Sequence, residues 1–326
     1  STSQNNAILR SNTMQMIDAE TVHRLLPYKM LIKELKQMHK KKIPEGDIVY
    51  TKDPSGADNM FVTMPGWLSG KLIVVKMVGV FPSNRDRDPP IGSVLGAVTA
   101  FDSKTGRPIL VADGEAMTYR KTAAISGLGT ALLAPPGPEE LLIVGAGGLS
   151  SHVTMAHIAA RPSISRIRIW NRTERRAETL AATLCSQGIE AKAITDLDTA
   201  VTNADIISCV TMARVPLVKG ALLKPGAHLD LVGSYLPDMR ETDDDAMRRG
   251  SIYTCCDRGR DEVGELTIPI NSGALSFDDI LGDAFELVQG RVSGRVSDQE
   301  ITVYKNIGGA HQDVFTTSIL KSVAGL

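Results

Sequence analysis

Two patterns of hydrophobic spacing divide the chain. In the first, up to about residue 130, apolar residues recur at helical spacing through "DAETVHRLLPYKMLIKELKQMHKKK", with Asp18 placed as a possible N-cap of one amphipathic helix. Strand-like runs follow, separated by turn residues: "GDIVYTK", "NMFVTMPGWL", "GKLIVVKMVGVFP", "SVLGAVTAFD" and "RPILVADG". Between the last two, "DSKTG" at 102 to 106 has the polar, Gly-ended make-up of a hairpin turn. This half reads as an antiparallel α+β domain.

The second pattern begins after the proline-rich "LLAPPGPEE", which reads as a linker. From Leu141 short apolar runs alternate with helical segments: "LLIVGAG", "RIRIWNR", "EAKAIT", "DIISCVT", "HLDLVGS" and "SIYTCC", with "SSHVTMAHIAARP" and "TERRAETLAATLCSQG" between the first of them. Parallel strands joined by crossover helices produce this alternation, so the expected fold is an α/β doubly wound sheet. Further on, "FDDILGDAFELVQG" reads as a helix, and "ITVYKNIGGAHQDVFTTSILKSVAGL" as a strand and an amphipathic helix returning to the first half.

Composition narrows the functional classes. A length of 326 residues suits two domains, and 43% hydrophobic with 22% charged residues is the balance of a globular chain. A net charge of −1 gives no footprint for nucleic acid or an anionic membrane. Four cysteines without a C-x-x-C pair point to reduced thiols rather than a disulfide framework or a metal knuckle. No apolar stretch approaches the roughly 20 residues that span a bilayer, and no leader is recognisable. The expectation is a cytoplasmic protein with no metal, nucleic-acid or membrane partner.

Candidate chemistry starts at "LLIVGAGGLSS", where a buried strand breaks into Gly145, Gly147 and Gly148, followed by Leu149 and Ser150. A plain strand-to-helix turn would explain the glycines. So would a dinucleotide site: Gly145 for the turn, Gly147 for approach of a pyrophosphate, and a helix N-terminus aimed at the charge. The usual third glycine is Ser150, small enough for the same close helix–strand contact. Where an acidic residue would bind a ribose 2′-hydroxyl, the next strand ends in Asn171, Arg172 and Thr173. Arg172 suits a 2′-phosphate, so NADPH is expected over NADH, with NADH still open. Thr211 and Ser234, at the ends of later runs, complete the expected cofactor contacts.

Two cations stand in apolar surroundings. Lys76 interrupts "LIVVKMVGV", and Arg120 precedes a run of small residues in "EAMTYRKTAAIS". Lys76 could be an edge-strand lysine, but an interior one is costly unless an anion pairs with it. Arg120 suits a bidentate carboxylate. Together they suggest a carboxylate-bearing substrate.

The segments "KMVGVFPSN", "GAVTAFDSKTGRPILVADGEAMTYRKTAAIS", "IVGAGGLSS", "WNRT", "VGSYLPDMRE" and "ITVYKNIGGAHQD" resemble the ornithine cyclodeaminase/mu-crystallin family over nearly the whole chain. The resemblance implies a Rossmann domain, residues 131–300, inserted in a substrate-binding and dimerisation domain made of residues 1–130 and 301–326. It further implies a homodimer with contacts from the strands around residues 48 to 111, and chemistry on amino or imino acids through a nicotinamide. Lys76 and Arg120 match the residues that hold the substrate carboxylate, and Ser93 matches a position near the nicotinamide and substrate. His311 and Asp313 lie in the returning tail and are further candidates to reach the cofactor or the site.

Two departures matter. Tyr235 stands where cyclodeaminases carry the acid that handles the departing ammonia, and tyrosine supplies no carboxylate at neutral pH. Gly46 stands near a place where many members have a further arginine. The expected activity is therefore NAD(P)H-dependent reduction of a small cyclic imino acid, Δ1-pyrroline-2-carboxylate or Δ1-piperideine-2-carboxylate, with Lys76 and Arg120 as the catalytic candidates. The alternatives are iminosuccinate reduction, alanine or other amino-acid dehydrogenation, ornithine cyclodeamination, and non-catalytic NADPH-dependent ligand binding.

Overall fold

The computed structural model describes residues 13–89 and 91–326. They fall into two compact units. The first comprises the chain up to Glu34, Lys42–Lys121 and Gly309–Leu326; the second comprises Leu35–Lys41 and Thr122–Gly308.

The first unit is built on a seven-stranded sheet of β1 (Gln15–Ile17), β2 (Glu45–Gly46), β3 (Val49–Lys52), β4 (Met60–Leu68), β5 (Leu72–Val80), β6 (Val94–Asp102) and β7 (Pro108–Asp113). The order is β1-β7-β6-β5-β4-β2, with β3 also on β4; only β1 runs parallel to its neighbour. Asp102 shapes the β6–β7 turn by accepting hydrogen bonds from the amides of Lys104 and Thr105 at 3.0 and 2.8 Å. On β5, Leu72, Val74, Lys76 and Val78 occupy one buried phase of the strand alternation. A lysine thus sits where the pattern calls for an aliphatic side chain.

Helices α1 (Ala19–Leu25) and α2 (Tyr28–Met38) replace the single helix expected from the spacing. The break falls at Pro27, which lacks an amide donor and biases Leu26 away from helical torsions; Leu26 has φ −115° and ψ 59°. Asp18 caps α1 as expected, accepting from the Thr21 amide at 2.9 Å, a contact worth about 1 kcal/mol. α3 (Gly114–Leu133) carries Arg120 and Lys121. The C-terminal helix, Ala310–Val323, lies close against the sheet. A Cβ at Gly66 of β4 would fall 2.4 Å from Val314 Cγ2, so the approach depends on glycine there. Gly46 is similarly close to Ala310.

The second unit holds an eight-stranded sheet of β8 (Glu140–Val144), β9 (Arg166–Trp170), β10 (Ala191–Ala193), β11 (Ile206–Cys209), β12 (His228–Leu231), β13 (Gly250–Thr254), β14 (Ile280–Asp283) and β15 (Ile301–Lys305). Every pairing is parallel, in the order β10-β9-β8-β11-β12-β15-β13-β14. From β8 the chain winds outward through β9 and β10, then resumes on the other side of β8 at β11. The carboxyl ends of β8 and β11 therefore form the switch point at which doubly wound sheets bind ligands. Helices α4 (Ser150–Ala160), α5 (Glu174–Ser186), α6 (Leu197–Asn203), α7 (Asp244–Arg249), α8 (Gly264–Asn271) and α9 (Ala284–Val288) complete the unit. Its core joins Leu142, Val144, Ile207, Leu229, Leu231 and Val303 from the central strands to Met247 and Leu266 from the helices.

Three sequence expectations change. The strand "ITVYK" belongs to the parallel sheet, and only the following helix joins the first unit, so the breaks fall at 121/122 and 308/309. All five residues of β15 are buried, which suits a strand covered on both faces better than one exposed on a single-sided sheet. "LLAPPGPEE" lies inside the second unit and merely leads from α3 into β8. In "FDDILGDAFELVQG" the helix shrinks to α9, preceded by β14. Asp283 and Glu286 form a reciprocal capping box at 2.9 and 3.1 Å, which fixes the helix start at Ala284.

Candidate active site

The first unit concentrates buried charge around Asp313. Lys76 and Lys121 are 5% and 6% exposed, and both face the same carboxylate oxygen of Asp313, at 3.5 and 3.7 Å. These are ion-pair distances too long for good hydrogen bonds, and among the described residues neither Asp313 oxygen has a hydrogen-bond partner. β5 supplies Lys76, α3 supplies Lys121, and the glycine-dependent seating of the C-terminal helix supplies Asp313. Burial lowers the Lys76 pKa to about 8; Asp313 opposes that shift and Lys121 adds to it.

Arg120, one residue before Lys121, contacts a different set. Its Nε donates to His23 Nδ1 at 2.9 Å, its Nη1 donates to the Leu26 carbonyl at 3.3 Å, and its guanidinium lies 4.4 Å from the Tyr28 ring centre. Burial lowers the Arg120 pKa. Burial first, then Arg120, lowers that of His23. Its pairing with Arg120 requires His23 to be neutral at Nδ1. The break at Pro27 makes this arrangement, because it brings α1, Leu26 and the first turn of α2 to one side chain.

Other sequence candidates in this unit fare differently. Ser93 is partly buried, and its carbonyl accepts from the Phe81 amide at 2.7 Å. His311 is buried edge-on to Phe315, with ring centres 6.5 Å apart. Lys121, His23 and Tyr28 were not singled out from the sequence. The only local signal was the adjacency of Lys121 to Arg120 in "YRKTAA".

In the second unit Gly145 follows β8 with φ +112°, and a Cβ there would lie 2.6 Å from the Val210 carbonyl oxygen. Glycine is needed both for the turn and for packing against the end of β11. Gly147 and Gly148 are exposed, and Leu149 leads into α4 without a side-chain cap. Ser150 is fully buried and its Oγ accepts from the Gly147 amide at 3.0 Å. Asn171 Oδ1 accepts from the Ala146 amide at 3.1 Å, and Asn171 Nδ2 donates to the Thr173 carbonyl at 2.9 Å, tying the glycine turn to the end of β9. Arg172, Thr173, Arg175 and Arg176 are exposed there. The Ser234 hydroxyl is buried without a hydrogen-bond partner. A tight glycine turn, an uncapped helix start and an orphaned hydroxyl at the carboxyl edge fit a dinucleotide.

Thr211, the further cofactor candidate, is held from within the unit. Its amide and hydroxyl both donate to Glu241 Oε1, at 2.6 and 2.8 Å, so its donors are already committed. Tyr235 is half exposed, and Asp238 in the same loop pairs with Arg214 at 2.6 Å. Among the described residues no group of three or more His, Cys, Asp or Glu side chains is placed to hold a metal.

Residues 11–324 match the model of the "Ornithine cyclodeaminase/mu-crystallin family". Protein SAR DEFICIENT 4 of Arabidopsis thaliana is 41% identical over 265 residues, 79% of this chain and 81% of its own length. Delta(1)-pyrroline-2-carboxylate reductase of Paracoccus denitrificans is 38% identical over 303 residues, covering 91% and 93%. Among solved structures, Thermococcus litoralis Delta(1)-pyrroline-2-carboxylate reductase in complex with NADH and L-proline superposes with a TM-score of 0.88 at 26% identity, covering 95% of this chain and 97% of that one.

Proposed function

The chain belongs to the ornithine cyclodeaminase/mu-crystallin family, and we propose that it reduces a small cyclic imino acid, Δ1-pyrroline-2-carboxylate or Δ1-piperideine-2-carboxylate, to L-proline or L-pipecolate. When bound, a reduced nicotinamide dinucleotide supplies the hydride for the C=N carbon. The relatives named as pyrroline-2-carboxylate reductases, one of them bound to NADH and L-proline, support the reaction class.

The buried cluster around Asp313 carries the reading. Two ammonium groups share one carboxylate there, leaving one positive charge without a buried counter-ion among the described residues. An uncompensated buried charge is expensive, and a substrate carboxylate would neutralise it. Arg120 adds a fork whose direction is set by His23, Leu26 and Tyr28, and whose Nη atoms keep N–H groups for a ligand. Lys76 Nζ, with its pKa near 8, is also suited to holding a proton for the imine nitrogen. Ser93 is assigned to the substrate side as well. No ionised carboxylate stands at Tyr235 to manage ammonia, which argues against cyclodeamination.

The second unit is assigned to the dinucleotide through Gly145, Gly147, Gly148, Leu149, Ser150, Asn171, Thr173, Thr211 and Ser234. Exposed Arg172 gives the preference for NADPH over NADH. The first unit is assigned to substrate binding and to a homodimer; the exposed Val49, Tyr50, Phe61 and Trp67 on its strands support that assembly. Among the described residues no helix is long and apolar enough to cross a membrane. Free cysteines, three of them buried, support a cytoplasmic location. The test is a panel of cyclic ketimine carboxylates and keto acids with ammonia, each with NADPH and NADH, followed by cofactor absorbance.

A further inference from the structure

We propose that Glu241 is a positioning residue for the dinucleotide: its carboxylate ties the loop after β11 to the loop after β12 and fixes the wall against which the glycine turn packs. The inference rests on the reading of that turn as the cofactor site. Glu241 is fully buried. One oxygen accepts from the Thr211 amide and hydroxyl at 2.6 and 2.8 Å, and the other accepts from the Gly233 amide at 3.0 Å. A Cβ at Gly233 would fall 1.8 Å from the Thr211 carbonyl oxygen and 2.5 Å from Glu241 Oε1, so the two loops touch at the carboxylate. The same β11 loop presents the Val210 carbonyl to Gly145, and Ser234 follows Gly233 directly. One side chain therefore sets two loops that border the switch point.

Glu265 of α8 stands behind it. Its Oε2 accepts from the Glu241 amide at 2.7 Å, and its Oε1 accepts from the Thr242 amide at 3.0 Å and from the Thr242 hydroxyl. Lys305 of β15 is the buried cation on this side, with its ammonium donating to the Leu231 carbonyl at 3.1 Å. Cys209 of β11 also lies within electrostatic reach, and Asp230 and Cys255 act on Lys305. Arg240, the adjacent cation, pairs instead with Asp244 at 2.5 Å. Three donors converge on Glu241, and only an ionised carboxylate accepts all three without presenting a proton of its own. Burial first, and then Glu265, raise its pKa to about 7, while Lys305 and the Thr211 donors oppose the rise. Acidification through neutrality therefore places a proton among three donors and slackens the tie.

The experiment measures NADH dissociation by nucleotide fluorescence from about pH 5.5 to 9, without imine, beside the melting temperature. NADH is used because it lacks the titrating 2′-phosphate. Wild type should bind more weakly as pH falls below about 7, by up to roughly tenfold per unit. Glu241→Gln should bind roughly tenfold more weakly at pH 8, lose the inflexion, and melt within a few degrees of wild type. Glu265→Gln should move the inflexion to lower pH, because a repelling charge is gone. Glu241→Gln within twofold of wild type with its inflexion intact would overturn the proposal. If Glu241→Gln does not fold, Glu265→Gln decides: an unmoved inflexion overturns it. Failure of wild type to bind either dinucleotide would refute the cofactor reading itself, whereas imine turnover has no bearing on this test.

Discussion

The two units bury opposite charge inventories. In the first, two lysines share one aspartate; in the second, two glutamates lie within reach of one lysine. The difference lies in what meets the surplus. Glu241 and Glu265 accept from the amides of Thr211, Gly233, Glu241 and Thr242 and from two hydroxyls, so the protein satisfies its own excess negative charge. Among the described residues Lys76 and Lys121 have no such company: Asp313 stands 3.5 and 3.7 Å away, and its oxygens accept no hydrogen bond. A surplus met internally holds loops in place. A surplus left open is suited to a ligand of opposite sign.

The contrast breaks most sharply at the open surplus. Arg120→Ala or Lys76→Met should lower kcat/KM for the imine by about 2–5 kcal/mol in transition-state terms, while cofactor affinity stays within about twofold. Arg120→Lys should recover little, because a point charge does not replace the fork. Equal loss of cofactor affinity would show that the two units do not divide the labour. Asp313→Asn comes next: it leaves two buried cations facing each other and should cost about 3–5 kcal/mol of folding stability by denaturant titration. An unchanged midpoint would mean the lysines do not depend on Asp313.

Arg172→Ala should weaken NADPH selectively by about 1.5–3 kcal/mol and leave NADH unaffected. A wild type that prefers NADH tenfold would contradict the 2′-phosphate assignment.

The smallest effect expected is on pH. Lys76 loses its charge as pH rises through about 8, so kcat/KM should decline above that value, by up to tenfold per unit. Stability moves the other way. The folded-state pKa lies below the unfolded one, so ionised Lys76 costs stability, and that cost is relieved between about pH 8 and the ordinary lysine range. For Glu241 the folded pKa is raised, so its ionisation costs stability as pH climbs from the ordinary carboxylate range to about 7. Mirrored stability slopes, each removed by Lys76→Met or Glu241→Gln, would sharpen the comparison.

The glycine turn and Lys76 were legible because each violates a local pattern: glycines end a buried run, and a lysine occupies an aliphatic phase of β5. The doubly wound sheet followed from the alternation of runs. Asp313 was within view, but its pairing joins residues 237 positions from Lys76 and 192 from Lys121, so no spacing rule could assign it. Thr211 was placed at the cofactor, but what holds it there was not legible. Its donors went to Glu241, 30 residues away, in a loop whose sequence reveals no such reach. Periodicity joined α1 to α2 because it weighs apolar spacing and takes no account of the amide missing at Pro27. It also gave "ITVYK" to the wrong unit, since whether a short buried run lies in one sheet or another depends on the neighbours that cover it.

Purified protein given Δ1-pyrroline-2-carboxylate and NADPH, with absorbance at the reduced nicotinamide band followed in real time, tests the central claim most directly. The account predicts stoichiometric cofactor oxidation with formation of L-proline, lost in Arg120→Ala, and no ammonia from ornithine with NAD⁺. Tight NADPH binding without turnover on any cyclic imine, or ammonia released from ornithine, would contradict it.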